Sequence, residues 1–103
     1  MTGFHMFIGA GFNVYPAEIE QALARPPDVV EAAAVVGVPD LRLGEVGRAY
    51  VVRPGGAVVT ADDLIAWARR EMADYKVPRE VEFLAELPRN ASGKVLKTAL
   101  RAR

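Results

Sequence analysis

Apolar and polar positions change period along the chain and divide it into short strands and amphipathic helices. His5–Ile8 and Phe12–Val14 are apolar runs on either side of Gly9-Ala10-Gly11, the pattern of a β-hairpin. Pro16 suits the first position of a helix, where its missing N–H would be unbonded anyway. Ile19 and Leu23 give that helix one apolar face, and Glu18 and Glu20 place carboxylates near the positive end of its dipole. Arg25-Pro26-Pro27-Asp28 stops it. Val29–Val38 is almost continuously apolar and valine-rich, the composition of a central strand covered on both faces. Glu45–Arg53 is the next strand, and the connection between them is too short for a helical crossover, so the two pair antiparallel.

Pro54-Gly55-Gly56 makes a turn, after which Thr60 and Asp63 have the spacing of a capping box. Leu64, Ala68 and Met72 follow at helical spacing with Trp67 beside them. Pro78 closes the loop Asp74–Val77. Val81 and Phe83 alternate with Glu80 and Glu82 as in a half-buried strand, and Val95–Ala102 reads as a terminal helix. The expected fold is α+β: a small domain with an N-terminal β-hairpin and a mainly antiparallel three-stranded sheet flanked by helices.

Composition narrows the function more by exclusion than by assertion. At 103 residues the chain fits one small domain. Thirteen basic and thirteen acidic side chains cancel, which argues against a nucleic-acid partner or an acidic membrane held by bulk charge. There is no cysteine and His5 is the single histidine, so no metal site is expected. The longest apolar run, Val29–Val38, contains Glu31 and falls far short of the roughly 20 residues of a membrane span. No charged-then-apolar leader is evident, and a cytoplasmic location is expected. Residues 1–5 follow no helical or turn logic and read as a truncated or appended linker before a domain at 6–103.

Few segments carry candidate chemistry. Lys94 follows Asn90-Ala91-Ser92-Gly93 on a loop that leads toward the last helix. Its neighbours are small, so its ammonium is free to extend into a cleft and meet a carboxylate or phosphate. A phosphate-binding P-loop is excluded, because Pro88 stands where glycine is needed and Val95 where serine or threonine would hold magnesium. Local pattern alone favours a plain solvated lysine. Gly9-Ala10-Gly11 is equally at home as an ordinary hairpin turn. Asn13 and Tyr15 are in reach of a ligand or serve packing. Asp40 and Glu45 flank a tight loop, where backbone capping is the stronger reading than acid–base work. Trp67 suits a core, and the basic residues Lys97, Arg101 and Arg103 suit a helix end.

Motif order turns Lys94 from a plain surface residue into a candidate for chemistry. Met6–Glu20, with its Gly9-Ala10-Gly11-Phe12-Asn13-Val14-Tyr15-Pro16 centre, resembles the entry to the C-terminal domain of the adenylate-forming superfamily, which includes acyl-CoA synthetases, luciferases and peptide-synthetase adenylation domains. Val38-Pro39-Asp40 with Gly44-Glu45, then Tyr75-Lys76-Val77-Pro78, then Leu87-Pro88-Arg89-Asn90-Ala91-Ser92-Gly93-Lys94-Val95-Leu96-Lys97, resemble its later landmarks in the same order. The likeness spans Met6 to Arg101, and the wording Phe12–Pro16 is most similar to synthetases acting on fatty or related acids.

The resemblance implies a C-terminal lid that closes in two orientations over a large N-terminal domain. The parent would convert a carboxylic acid, ATP and CoA into acyl-CoA, AMP and pyrophosphate, with magnesium. Lys94 would serve adenylate formation, Gly9, Ala10 and Gly11 would shape the path of the CoA arm, and Asn13 would contact the adenylate. Alone, the chain would be inactive and bind none of these tightly, and its docking face would favour self-association. Two departures stand out: Thr2-Gly3-Phe4-His5 replaces the family's charged hinge stretch, and Ala10 stands where a second glycine is common. The alternatives are an adenylating domain that serves a carrier protein and a free-standing binding module.

Overall fold

The computed structural model describes residues 6–25, 30–56 and 58–103. Strands β1 (Phe7–Gly9) and β2 (Phe12–Val14) form the expected hairpin, with Phe7 opposite Val14. Helix α1 (Pro16–Leu23) starts on Pro16. Strands β3 (Ala32–Asp40) and β4 (Gly44–Val52) pair antiparallel from Ala32↔Val52 to Asp40↔Gly44. Helix α2 (Ala61–Glu71) carries the full capping box, the Thr60 hydroxyl accepting from Asp63 N and the Asp63 carboxylate from Thr60 N. A 3₁₀ turn at Asp74–Lys76 leads to β5 (Glu80–Phe83), and α3 (Lys97–Arg101) closes the fold. His5 and the helix stop at 26–28 lie outside the described residues.

The sheet differs from expectation in extent and order. All five strands share one sheet, with β4 rather than β3 at its centre. One side of β4 is taken by β3. The other is divided between β1, joined through Gly9↔Gly44, and β5, which runs parallel from Arg48↔Glu80 to Val51↔Phe83. The intervening α2 is long enough to bring β5 back in the same direction as β4. A valine-rich run reports that both faces are covered; it does not report hydrogen-bonding neighbours on both sides. β3 is therefore an apolar edge strand.

Alternation along β3 and β4 builds two cores. Val35, Ala49 and Val51 face α1 and α2, where they meet Ile19, Leu23, Leu64, Phe7 and Val14. Ala34, Val36, Val38, Val46, Tyr50 and Val52 face Leu87 and Leu100 on the opposite side. Tyr50 is fully buried, and its hydroxyl donates to Leu100 O at 2.9 Å, which ties α3 to the sheet. The hairpin is seated by the Phe7 ring, which lies across Gly37 so closely that a Cβ there would come within 2.7 Å of it.

Two expected helices change in detail. Met72 takes an extended conformation just after α2, although its side chain still packs on the first core. Val95 and Leu96 precede α3: Val95 bridges Arg89, and Leu96 N donates to Pro88 O at 2.9 Å. The segment around Lys94 is thus the tip of a small hairpin.

Candidate functional site

Lys94 is exposed, and the loop that carries it is tied down. Asn90 N donates to Lys94 O at 2.9 Å, and Gly93 N donates to Asn90 O at 3.0 Å, closing a four-residue turn. Gly93 has φ +88° with nothing near its missing Cβ, so glycine is required there by conformation rather than by space. The Asn90 side-chain oxygen accepts from Ser92 N (3.0 Å), Ser92 Oγ (2.8 Å) and Lys94 N (3.0 Å). Arg89 Nη1 donates to Gly93 O at 2.9 Å across the outside. The small residues Ala91, Ser92 and Gly93 form a folded tip, from which the lysine side chain projects.

The glycine turn is equally defined. Ala10 at φ +53° and Gly11 at φ +83° are the two positive-φ residues of a tight two-residue hairpin loop. Ala10 N donates to Leu43 O at 3.0 Å, so this turn docks on the β3–β4 turn. That second turn is held by Asp40, whose Oδ1 accepts from Arg42 N at 2.8 Å and Leu43 N at 2.9 Å. These backbone donors hold the Asp40 carboxyl below the usual carboxylate range. A Cβ on Gly9 would approach Glu45 O at 3.2 Å, whereas Gly11 faces open space. Asn13 is exposed opposite Ile8 on the outer face of the hairpin. Met6, Ile8, Phe12 and Tyr15 also remain exposed, and Phe12 stacks on Tyr75 with ring centroids 4.4 Å apart.

The two candidate elements are rooted in different cores. The glycine turn belongs to the hairpin packed on the α1–α2 side through Phe7 and Val14. The Lys94 tip rises beside Leu87, Val95 and Leu100 on the other. Trp67 packs against the first core with the Arg25 guanidinium 5.6 Å from its ring centroid.

A third feature carries no sequence signal. Lys97 sits at the start of α3, and its ammonium reaches around the β3 edge to the Glu20 carboxylate and to Val35 O (2.7 Å). The same Glu20 oxygen accepts from Val35 N at 2.8 Å. Glu20 therefore closes a sheet edge and does not serve the dipole of α1, and Lys97 does not form a basic helix end. Glu18 pairs with Lys76 at 2.8 Å, the contact that chiefly raises the Lys76 pKa. Among the described residues no three His, Asp or Glu side chains cluster as a metal site, and no helix is long and apolar enough to cross a membrane.

Comparison with known proteins decides what this geometry belongs to. Residues 18–94 match the family described as AMP-binding enzyme C-terminal domain. The chain belongs to that family. A ligase of Rhodococcus jostii named for 3-[(3aS,4S,7aS)-7a-methyl-1,5-dioxo-octahydro-1H-inden-4-yl]propanoyl:CoA is 57% identical over 93% of this chain and 18% of its own length. A feruloyl-CoA synthase of Amycolatopsis is 52% identical over 95% of this chain and 20% of its own. The crystal structure of ATP-bound MatB from Rhodopseudomonas palustris superposes with a TM-score of 0.90 at 40% identity, over 94% of this chain and 19% of that one. The chain thus spans about a fifth of the length of the relatives it matches.

Proposed function

We propose that this domain is the catalytic lid of an AMP-forming acyl-CoA ligase, in which Lys94 serves adenylate formation and the Gly9-Ala10-Gly11 turn faces the CoA thiol. In the first step a carboxylate oxygen attacks the α-phosphorus of ATP and pyrophosphate leaves. In the second the CoA sulfur attacks the acyl carbonyl, loses its proton and displaces AMP. Two anions must meet in the first step, and a positioned ammonium lowers their repulsion as charge moves to the leaving group. Lys94 is suited to that role because it is exposed at the end of a folded loop.

The observation that carries the reading is that the two elements have separate roots: the glycine turn tips the hairpin seated by Phe7 and Val14, and the Lys94 tip rises beside Leu87, Val95 and Leu100. A lid that presents Lys94 for one step and the hairpin for the next must turn between them. That fits the two-orientation scheme better than a single fixed closure. The exposed apolar residues Met6 and Ile8 fit a docking face for the large N-terminal domain, and would also favour self-association when that domain is missing. Asn13, exposed on the same outer face, is assigned the contact with the adenylate. Magnesium is assigned to the nucleotide and the larger domain. The acid is of the fatty-acyl type or a close relative, and the parent works in the cytoplasm. Alone, the chain holds half a site and is inactive.

The test is ATP–pyrophosphate exchange by the full-length parent. Lys94→Ala is expected to lower it by about 10²–10³, the scale of losing one transition-state charge contact. The same variant should still form thioester from preformed acyl-adenylate and CoA. Exchange at the wild-type rate would remove Lys94 from the mechanism.

A further inference from the structure

Lys94 has a long, flexible side chain, so the precision of its ammonium depends on how firmly its backbone is held. The side chain that bonds the Lys94 backbone directly is Asn90. The Asn90 oxygen gathers Ser92 N, Ser92 Oγ and Lys94 N, while Asn90 N and O close the main-chain turn with Lys94 and Gly93. Every group that oxygen meets is a donor, and all lie within the tip. The tip itself is exposed and packs on neither core. Deleting the carboxamide is therefore expected to loosen the loop and leave the fold intact.

We propose that Asn90 is a positioning residue for adenylate formation, acting through Lys94. Its oxygen fixes the direction in which the lysine stem leaves the loop, so the ammonium arrives already aligned when the lid closes. A free tip would have to be ordered at each encounter, and the ordering would be drawn from transition-state stabilisation. Arg89, bonded to Gly93 O from outside, supports the same turn without touching Lys94 N. The proposal rests on the reading of Lys94 as the adenylation lysine.

The experiment is a double-mutant cycle on the full-length parent, read as pyrophosphate exchange, with thermal unfolding to monitor the fold. Asn90→Ala is expected to lower kcat by about tenfold to a hundredfold, the cost of misplacing a reacting group by about 1 Å, with KM for ATP and acid little changed. Asn90→Asp keeps the acceptor oxygen and should recover most of the rate. In a Lys94→Ala background, Asn90→Ala should add no further loss, because there is no ammonium left to aim. Wild-type exchange in Asn90→Ala beside a crippled Lys94→Ala overturns the proposal and leaves the reading of Lys94 standing. An equal loss in both backgrounds also overturns it, since Asn90 would then act independently. Undiminished exchange in Lys94→Ala removes the underlying reading, and the proposal with it.

Discussion

Replacing Lys97 by methionine should destabilise the domain far more than its place beside an exposed loop suggests. The ammonium bonds the Glu20 carboxylate and Val35 O, with the two side chains only 15% and 24% exposed. Methionine keeps most of the apolar stem and removes the charge, so the loss is chiefly electrostatic. Breaking a fully buried pair from one side costs about 3–5 kcal/mol, and a hydrogen bond to a charged group contributes about 1.5–3 kcal/mol. Partial exposure of both partners brings the expectation to about 2–3 kcal/mol. For a domain of this size that is a fall of roughly 10–20 °C in Tm. Urea unfolding followed by circular dichroism gives the free energy from the midpoint and slope. Glu20→Gln, which keeps an acceptor for Val35 N, should cost less, and the double variant should fall short of the sum by about 1 kcal/mol or more. The loss should persist in high salt, because the pair is shielded from it. A Lys97→Met domain within about 0.5 kcal/mol of wild type, or a strictly additive cycle, would refute the edge-closing role.

Gly37→Ala should destabilise by about 1–3 kcal/mol, because the new methyl group meets the Phe7 ring that seats the hairpin; an unchanged unfolding midpoint would show that the ring moves aside freely. Asp40 gives a pH signature. Its folded pKa is depressed below 3.8, so its contribution is present above the unfolded pKa and is lost as pH falls through the folded value. Acid unfolding as pH falls through and below the usual carboxylate range should therefore be shallower in Asp40→Asn, which still accepts the two backbone bonds without a charge to protonate. Parallel acid titrations of the two proteins would show this role to be absent. Together with the Lys94 and Asn90 variants, these measurements separate chemistry, loop order and fold.

The capping box at Thr60, the Pro16 helix start and the β3–β4 pairing were legible because each depends on residues near one another in sequence. The adenylate-forming resemblance was legible for another reason: four short motifs in order over most of the chain. Val95 and Leu96 misled as helix because apolar spacing cannot show that Val95 pairs with Arg89. Asn90 was visible only as a member of a motif; that it grips Lys94 N needs the positive φ of Gly93 to fold the loop back.

Local pattern determined most of the elements and the α+β class, and motif order singled out Lys94 and the glycine turn as candidates. Tertiary structure alone decided that β3 is an edge, that β5 runs parallel to β4, and that the hairpin bearing the glycine turn and the loop bearing Lys94 are rooted beside different core residues. It also decided that Glu20 and Lys97, 77 residues apart, meet at Val35. The reason is physical. Side-chain period reports how deeply a face is covered, whereas the neighbour across a sheet edge is chosen by how the whole chain packs, and no short window contains it.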